Sequence, residues 1–200
     1  MVNRRDHGER SLLKRQHLMK AYKLILYCIT ALLVMPCLMA EKKGHIQNEH
    51  KTSREFVESF YNWYAPLAQN EKIRRSWEKA IRLRTSAFSP SLAHMIEEDA
   101  AAQASCDELV GLDFDPFLYS QDPAERYEVG QITRSGDYFR AEIYRVERGR
   151  RSDKPDLTAA FLHKEGRWFF VNFYYPGAAD LVSQLKVRPP CSVPRVGHAR

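Results

Sequence analysis

The amino-acid sequence predicts an α+β domain in which helices precede an antiparallel sheet. Between residues 52 and 105 the apolar side chains recur every three to four positions, which is the helical spacing. After residue 125 they alternate with polar side chains, as they do in strands. The links between these strands are too short for parallel crossovers. We therefore expect one domain over residues 52–187, with helices packed on a strongly curved, cone-like antiparallel sheet of about four strands and a short closing helix.

Three N-terminal helices are expected, each with its own start or stop signal. Thr52 and Glu55 have the spacing of a capping box, and Pro66 marks where the first helix should end or bend. The second helix is predicted over residues 71–83, because apolar side chains recur there at every fourth position. Ser89 is a favoured N-cap residue and should begin the third helix.

Four segments have the composition of strands: YEVGQITR, YFRAEIYRVE, DLTAAFLH and RWFFVNFYY. In the last of them, strict alternation would place Trp168, Phe170 and Tyr174 on one face of the sheet. Three large aromatic side chains on one face predict a ligand-binding surface for a protein or a small apolar molecule. After the break at residues 176–177, a short closing helix is expected over residues 178–186.

The first 40 residues have the layout of a leader. Lys20 and Lys23 precede an apolar run of 16 residues, 24–39, and a small residue, Ala40, stands before a charged stretch. This is the pattern of a secretory signal peptide over residues 19–40, with Met19 as an alternative start, and the run is shorter than a bilayer span requires. The chain is expected in the periplasm or secreted. An uncleaved leader that anchors it to the inner membrane is the alternative.

The net charge of +6 belongs mostly to that leader. Residues 1–40 contain 7 Lys/Arg and 2 Asp/Glu, which leaves 24 and 23 in the rest of the chain. A nearly neutral domain gives no electrostatic reason to expect a nucleic-acid partner. Residues 41–51 are polar and without period, which predicts a flexible stem, and residues 188–200 are expected to form a C-terminal tail.

Two of the four cysteines, Cys106 and Cys191, lie outside the leader. An exported chain meets oxidising conditions, so these two thiols are predicted to form a disulfide. Closing a loop of this length would stabilise the folded state by roughly 4 to 5 kcal/mol in the chain-entropy model. The alternative is a buried free thiol. A single distant pair lacks the spacing of a zinc site.

The stretch GLDFDPFLYSQD, residues 111–122, contains the three candidate site residues Asp113, Asp115 and Asp122. The structural interpretation is that Asp115 caps a short turn over residues 116–119, because an aspartate before proline leaves the helical region and accepts nearby amide hydrogens. The catalytic interpretation is that one of the three has a raised pKa in an apolar pocket and acts as an acid or base. A third interpretation is an irregular calcium site made by the three carboxylates.

Several other chemistries lack their motifs. The chain has no GxSxG, GxxxxGK[ST], GxGxxG or HExxH sequence. A calcium loop of the EF-hand type starting at Asp113 would need glycine and glutamate where Leu118 and Ala124 stand. His94 and Glu98 have helical spacing but no third ligand nearby, so no metal and no cofactor are expected.

Three segments of the chain resemble an exported bacterial family known as domain of unknown function number thirty-eight twenty-eight. They are LDFDPFL followed by Gln121 and Asp122, the opening FVESFYNWY and the ending WFFVNFYYPGAADLVSQLK. The resemblance covers residues 52–187. It implies a cone-shaped α+β fold like that of nuclear transport factor two, and it implies no settled activity and no catalytic residues.

Three functions are compatible with these observations. The first is an exported, non-catalytic binding module that uses its aromatic face or loops. The second is a small hydrolase or isomerase that works through Asp113, Asp115 or Asp122. The third is an immunity-type protein that blocks a toxin in the cell envelope.

Overall fold

In the described part of the chain, three helices precede the sheet and a fourth follows it. The computed structural model describes residue 49, residues 51–106 and residues 111–187. The helices are α1 over residues 51–68, α2 (Ser76–Leu83), α3 (Pro90–Ser105) and α4 (Leu181–Lys186), with a single 3-10 turn at Thr85–Ala87. The strands are β1 (Arg126–Ser135), β2 (Tyr138–Glu147), β3 (Arg150–Arg151), β4 (Leu157–Lys164) and β5 (Arg167–Tyr174).

The start and end of α1 differ from the sequence prediction. Residues 49 and 51 are already helical, so Thr52 lies inside the helix and does not cap it. Pro66 does not end the helix either, since residues 67 and 68 are still helical. Pro66 is exposed and lies in the last turn of the helix, which ends two residues later.

The start of α2 was also predicted too early. The helix begins at Ser76 and not near residue 71, because Arg75 adopts a left-handed conformation with φ of 53°. The start of α3 is confirmed. The side chain of Ser89 accepts a hydrogen bond of 3.2 Å from the backbone N–H of Leu92, and Pro90 takes the first helical position.

The sheet is antiparallel, as predicted, and has five strands where about four were expected. Its order is β1-β2-β4-β5, and the two-residue strand β3 pairs with β2. The link between β2 and β4 was expected to be a loop, and β3 forms within it. The short closing helix is confirmed, but it begins at Leu181, where the side chain of Asp180 caps it.

The core lies between the helices and one face of the sheet. Phe60 of α1 is at its centre, with ring centroids 4.9 Å from Phe170 of β5, 5.6 Å from Phe88 and 5.8 Å from Phe117. All four side chains are buried. Because the rings pack edge to face or tilted, this aromatic cluster joins α1, the sheet and the 111–122 segment into one core.

A β-bulge interrupts the pairing of β1 with β2. Val129 pairs with Ile143 and Ile132 pairs with Ala141, so two residues of β1 oppose one of β2. The guanidinium of Arg54 in α1 donates to the carbonyl oxygens of Val129 at 2.9 Å and Gly130 at 2.7 Å. A helix side chain thus satisfies carbonyls at the place where the regular ladder is broken.

The leader, most of the stem and the C-terminal tail lie outside the described residues, and so does Cys191. The predictions of a signal peptide, a flexible stem and a tail concern those residues. Among the residues that are described, no helix is long and apolar enough to cross a membrane.

Candidate functional site

The turn at residues 115–119 is held by Asp115, as the structural interpretation predicted. Its Oδ1 accepts a hydrogen bond of 2.9 Å from the backbone N–H of Phe117. Its backbone carbonyl oxygen accepts a hydrogen bond of 2.8 Å from the backbone N–H of Tyr119. Its own N–H donates to the carbonyl oxygen of Ser120 at 2.9 Å. The Asp-Pro step therefore folds back on itself by local hydrogen bonds.

Hydroxyl groups from distant parts of the chain hold this turn in the core. Tyr64 of α1 and Ser76 of α2 both donate to Oδ2 of Asp115, at 2.5 Å and 2.9 Å. Tyr61 donates to the carbonyl oxygen of Phe117 at 3.0 Å, and Tyr175 donates to that of Pro116 at 2.8 Å. The turn is thereby fixed to two helices and to the end of the sheet.

The carboxyl group of Asp115 is buried, with 4% of the residue exposed. Burial raises its pKa to about 6, although hydrogen bonds from Tyr64, Phe117 and Ser76 favour the ionised form. Burial also raises the pKa of Tyr64 well above its usual value, and the charge of Asp115 adds to that effect. Both oxygens of Asp115 therefore accept hydrogen bonds from the protein.

The other two candidate aspartates are not brought to Asp115. Asp113 and Asp122 are both exposed, and the hydrogen bonds at these two residues are made by backbone groups. The carbonyl oxygen of Asp113 accepts from the side chain of Gln121 at 3.1 Å. One buried and two exposed carboxyl groups do not make a paired acid and base.

The prediction that Trp168, Phe170 and Tyr174 share a face is wrong. Ala160 pairs with Asn172 while Phe161 pairs with Phe170, so Val171 is an extra residue in β5. This bulge reverses the alternation, and both Phe170 and Phe173 are buried in the core. Trp168 also faces the core, with its ring 5.0 Å from that of Phe139. Tyr174 alone of the three lies on the opposite face, and 36% of it is exposed.

The sheet face opposite the core is called the outer face here. It carries Tyr138 and Arg140 of β2, Ala160 of β4, and Asn172 and Tyr174 of β5. Arg140, Ala160 and Asn172 pair directly across three neighbouring strands. A cavity of about 340 Å³ opens over this row, and Val171 and Val182 complete its apolar walls.

Two residues of this outer cavity were not singled out from the sequence. Tyr138 is half exposed, and the guanidinium of Arg140 lies 4.8 Å from the ring centroid of Tyr174. The alternation in YFRAEIYRVE does place both on the polar face of β2. That signal is shared by every exposed strand residue, so it could not identify a cavity.

A larger cavity, of about 500 Å³, lies between the 3-10 turn and the β4–β5 hairpin. Its charged lining comes from Lys164, Glu165 and Arg167, and Phe169 contributes apolar surface. Lys164 and Glu165 form an exposed ion pair of 3.9 Å. The charges around this cavity are mixed and solvated, which gives it less electrostatic selectivity than the outer cavity.

No family model, curated protein or solved structure matches this chain. The resemblance to the domain-of-unknown-function family stays a prediction.

The described residues contain no group of three or more His, Cys, Asp or Glu side chains that could hold a metal ion. His94 and Glu98 form an exposed pair, 3.5 Å apart, on α3. Cys106 is buried at the end of α3. Because Cys191 lies outside the described residues, the disulfide between them stays a prediction.

Proposed function

We propose that this protein is an exported, non-catalytic binding module whose ligand occupies the outer cavity. The layout of the leader supports export to the periplasm. The family resemblance implies a cone-like fold, and that shape is part of the proposal. The ligand is held by the outer face of the sheet, and not by the core aromatics.

The observation that carries the proposal is a difference between the core and the outer cavity in the partners of their charged groups. Two carboxyl groups of the described residues are buried, Asp99 and Asp115, and both accept hydrogen bonds from within the protein. At the outer cavity, Arg140 lies beside exposed tyrosine rings, and among the described residues no carboxylate forms an ion pair with it. A concave site that combines apolar walls with a few polar groups is a usual form of a small-molecule site.

An enzyme that uses Asp115 is the second candidate, because its raised pKa of about 6 is what an acid or base near neutral pH requires. A substrate would have to reach a carboxyl group of which 4% is exposed and whose donors are Tyr64, Ser76 and a backbone amide. Catalysis by Asp115 would therefore require α1 and α2 to separate. The immunity-type function stays a prediction, for which genes encoded beside this one are the test.

The test is to incubate the purified exported domain with the small molecules of an envelope extract, and to identify the retained compounds by mass spectrometry. Tyr138→Ala and Tyr174→Ala should lose the retained compound, since each removes a wall of the outer cavity. Phe169→Ala, in the larger cavity, is the matched control and should retain it. The compound should be recovered unchanged.

Two outcomes would contradict the proposal. One is equal retention by the wild type and by both tyrosine variants. The other is conversion of an extract compound by the wild type but not by Asp115→Asn, which would favour the enzyme.

A further inference from the structure

The charge of the outer cavity is set by Arg140. Among the described residues that line the cavity, Arg140 is the one with a charged side chain. Two acids, Glu142 of β2 and Asp180 before α4, have other partners. Glu142 accepts hydrogen bonds from Tyr144 at 2.9 Å and from the backbone N–H of Gln131 at 3.3 Å.

Asp180, which precedes α4, is also held. Its Oδ1 accepts from Asn172 at 2.7 Å, and its Oδ2 accepts from the hydroxyl of Ser183 at 2.7 Å. Burial works against its ionised form, but the hydrogen bonds from Asn172 and Ser183 outweigh it, so the pKa of Asp180 is lowered. Neither carboxylate forms an ion pair with Arg140 among the described residues, and its exposed guanidinium lies over the ring of Tyr174.

The walls of the cavity fit an apolar body. Ala160 lies between Arg140 and Asn172 in the row of paired residues, and its small side chain makes the floor. Val171 and Val182 line the sides, and the rings of Tyr138 and Tyr174 are accessible. A volume of about 340 Å³ lies at the lower end of the range for small-molecule sites.

We propose that the outer cavity binds a small molecule with one carboxylate group on an aromatic or apolar body. Arg140 receives the carboxylate through its paired N–H donors, because the planar guanidinium matches the geometry of two carboxylate oxygens. Tyr138, Tyr174 and the two valines surround the apolar body. This inference rests on the proposed function and specifies its ligand.

Diphenylacetate and its neutral amide, diphenylacetamide, are matched probes that differ in charge at one group. Binding to the exported domain is measured by calorimetry and by chemical-shift changes of outer-face amides. The acid should bind at least tenfold more tightly than the amide. Arg140→Gln should remove the difference in affinity between acid and amide. Arg140→Lys should keep part of it, because lysine has the positive charge but not the paired N–H donors of a guanidinium.

Arg82→Gln is the matched control, since Arg82 is exposed on α2 and the same charge is lost. It should bind the acid as the wild type does. Circular dichroism of each variant shows whether the fold is kept. Equal binding of acid and amide, or undiminished binding by a folded Arg140→Gln, would overturn the inference.

The tripeptide Ala-Ala-Phe with a free C-terminal carboxylate is the second arm of the test. If the tripeptide binds and diphenylacetate does not, the site recognises a peptide terminus, and the inference is wrong. If neither acid binds but extract compounds are still retained through Tyr138 and Tyr174, this inference fails while the binding function stands. If the extract compounds are not retained either, both fail.

Discussion

At the scale of single residues, Asp115 stays inside the protein because each of its oxygens has a donor. The amide of Phe117 serves Oδ1, and Tyr64 and Ser76 serve Oδ2. Three hydrogen bonds reduce the cost of burying the carboxylate but do not remove it, which is why the pKa is raised. The fold therefore holds a group that changes charge just below neutral pH.

The first prediction is a stability difference that depends on pH. Asp115 binds its proton more tightly in the folded protein, with a pKa of about 6, than in the unfolded chain, where 3.8 is the ordinary value. Its neutral form thus contributes stability that is fully present below 3.8 and is lost as the pH rises through about 6. Relative to Asp115→Asn, the wild type should lose up to about 3 kcal/mol between about pH 4 and pH 7.

Urea unfolding of both proteins across this range is the measurement, and Asp113→Asn is the control, since Asp113 is exposed. If the free energy of unfolding changed with pH in the same way for the wild type and for Asp115→Asn, the Asp115 carboxyl group would not have the raised pKa.

The second prediction concerns the donor. Tyr64→Phe should lower the free energy of unfolding by about 1 to 3 kcal/mol, and by more above pH 6 than below it, because the ionised carboxylate depends more on its donors. Tyr61→Phe removes a hydrogen bond to the neutral carbonyl oxygen of Phe117, so its cost should not change with pH. Unfolding of both variants at both pH values distinguishes them, and an equal pH dependence would contradict the role given to Tyr64.

At the scale of elements, the junction of α1 with the edge of the sheet depends on Arg54. Its guanidinium satisfies two carbonyl oxygens at the β1 bulge, and it also pairs with Glu58 at 3.3 Å in α1. Methionine would keep the apolar part of the side chain and remove the donors. The bulge carbonyls would then depend on water.

The third prediction is therefore that Arg54→Met destabilises the domain by about 1.5 to 3 kcal/mol and increases hydrogen exchange in β1 more than in β4. Lys51→Met is the control on the same helix, because Lys51 makes an exposed contact of 4.0 Å with Glu55. Exchange measured by mass spectrometry on both variants is the test. Uniform acceleration over all strands would mean that Arg54 does not act locally at β1.

The elements also show which parts of the fold could be predicted from the sequence. The Asp115 turn was predictable because an Asp-Pro step and its capping amide lie within three residues. Its tyrosine partners come from more than 50 positions away, and no local pattern identifies them. The face assignment in β5 failed because one bulge residue, Val171, reverses every later side chain, and alternation alone does not reveal a bulge.

At the scale of the whole molecule, the two faces of the sheet differ in burial. The inner face contributes Phe170 and Phe173 to the aromatic core, and both side chains are fully buried. Their packing stabilises the fold. The outer face, with Arg140 and Tyr174, lies opposite that core, and in our proposal it holds the ligand. Substitutions on the outer face should therefore change binding with little change in stability, which makes the binding proposal testable in folded variants.

The last prediction joins the leader and the cysteines. If the leader is cleaved after export, Cys28 and Cys37 are lost, and a Cys106–Cys191 disulfide leaves no thiol to alkylate in the denatured, unreduced protein. A retained leader would leave the thiols of Cys28 and Cys37. Alkylation followed by intact-mass measurement of the chain purified from the envelope counts them.

Cys191→Ser should make Cys106 reactive once the protein is denatured. It should also lower the free energy of unfolding by roughly 4 kcal/mol, because the loop of the unfolded chain is no longer closed. Alkylation of both Cys106 and Cys191 in the untreated wild-type chain would contradict the disulfide. The mass of the same sample also shows whether the leader was removed. That result does not depend on the disulfide, which concerns Cys106 and Cys191 alone.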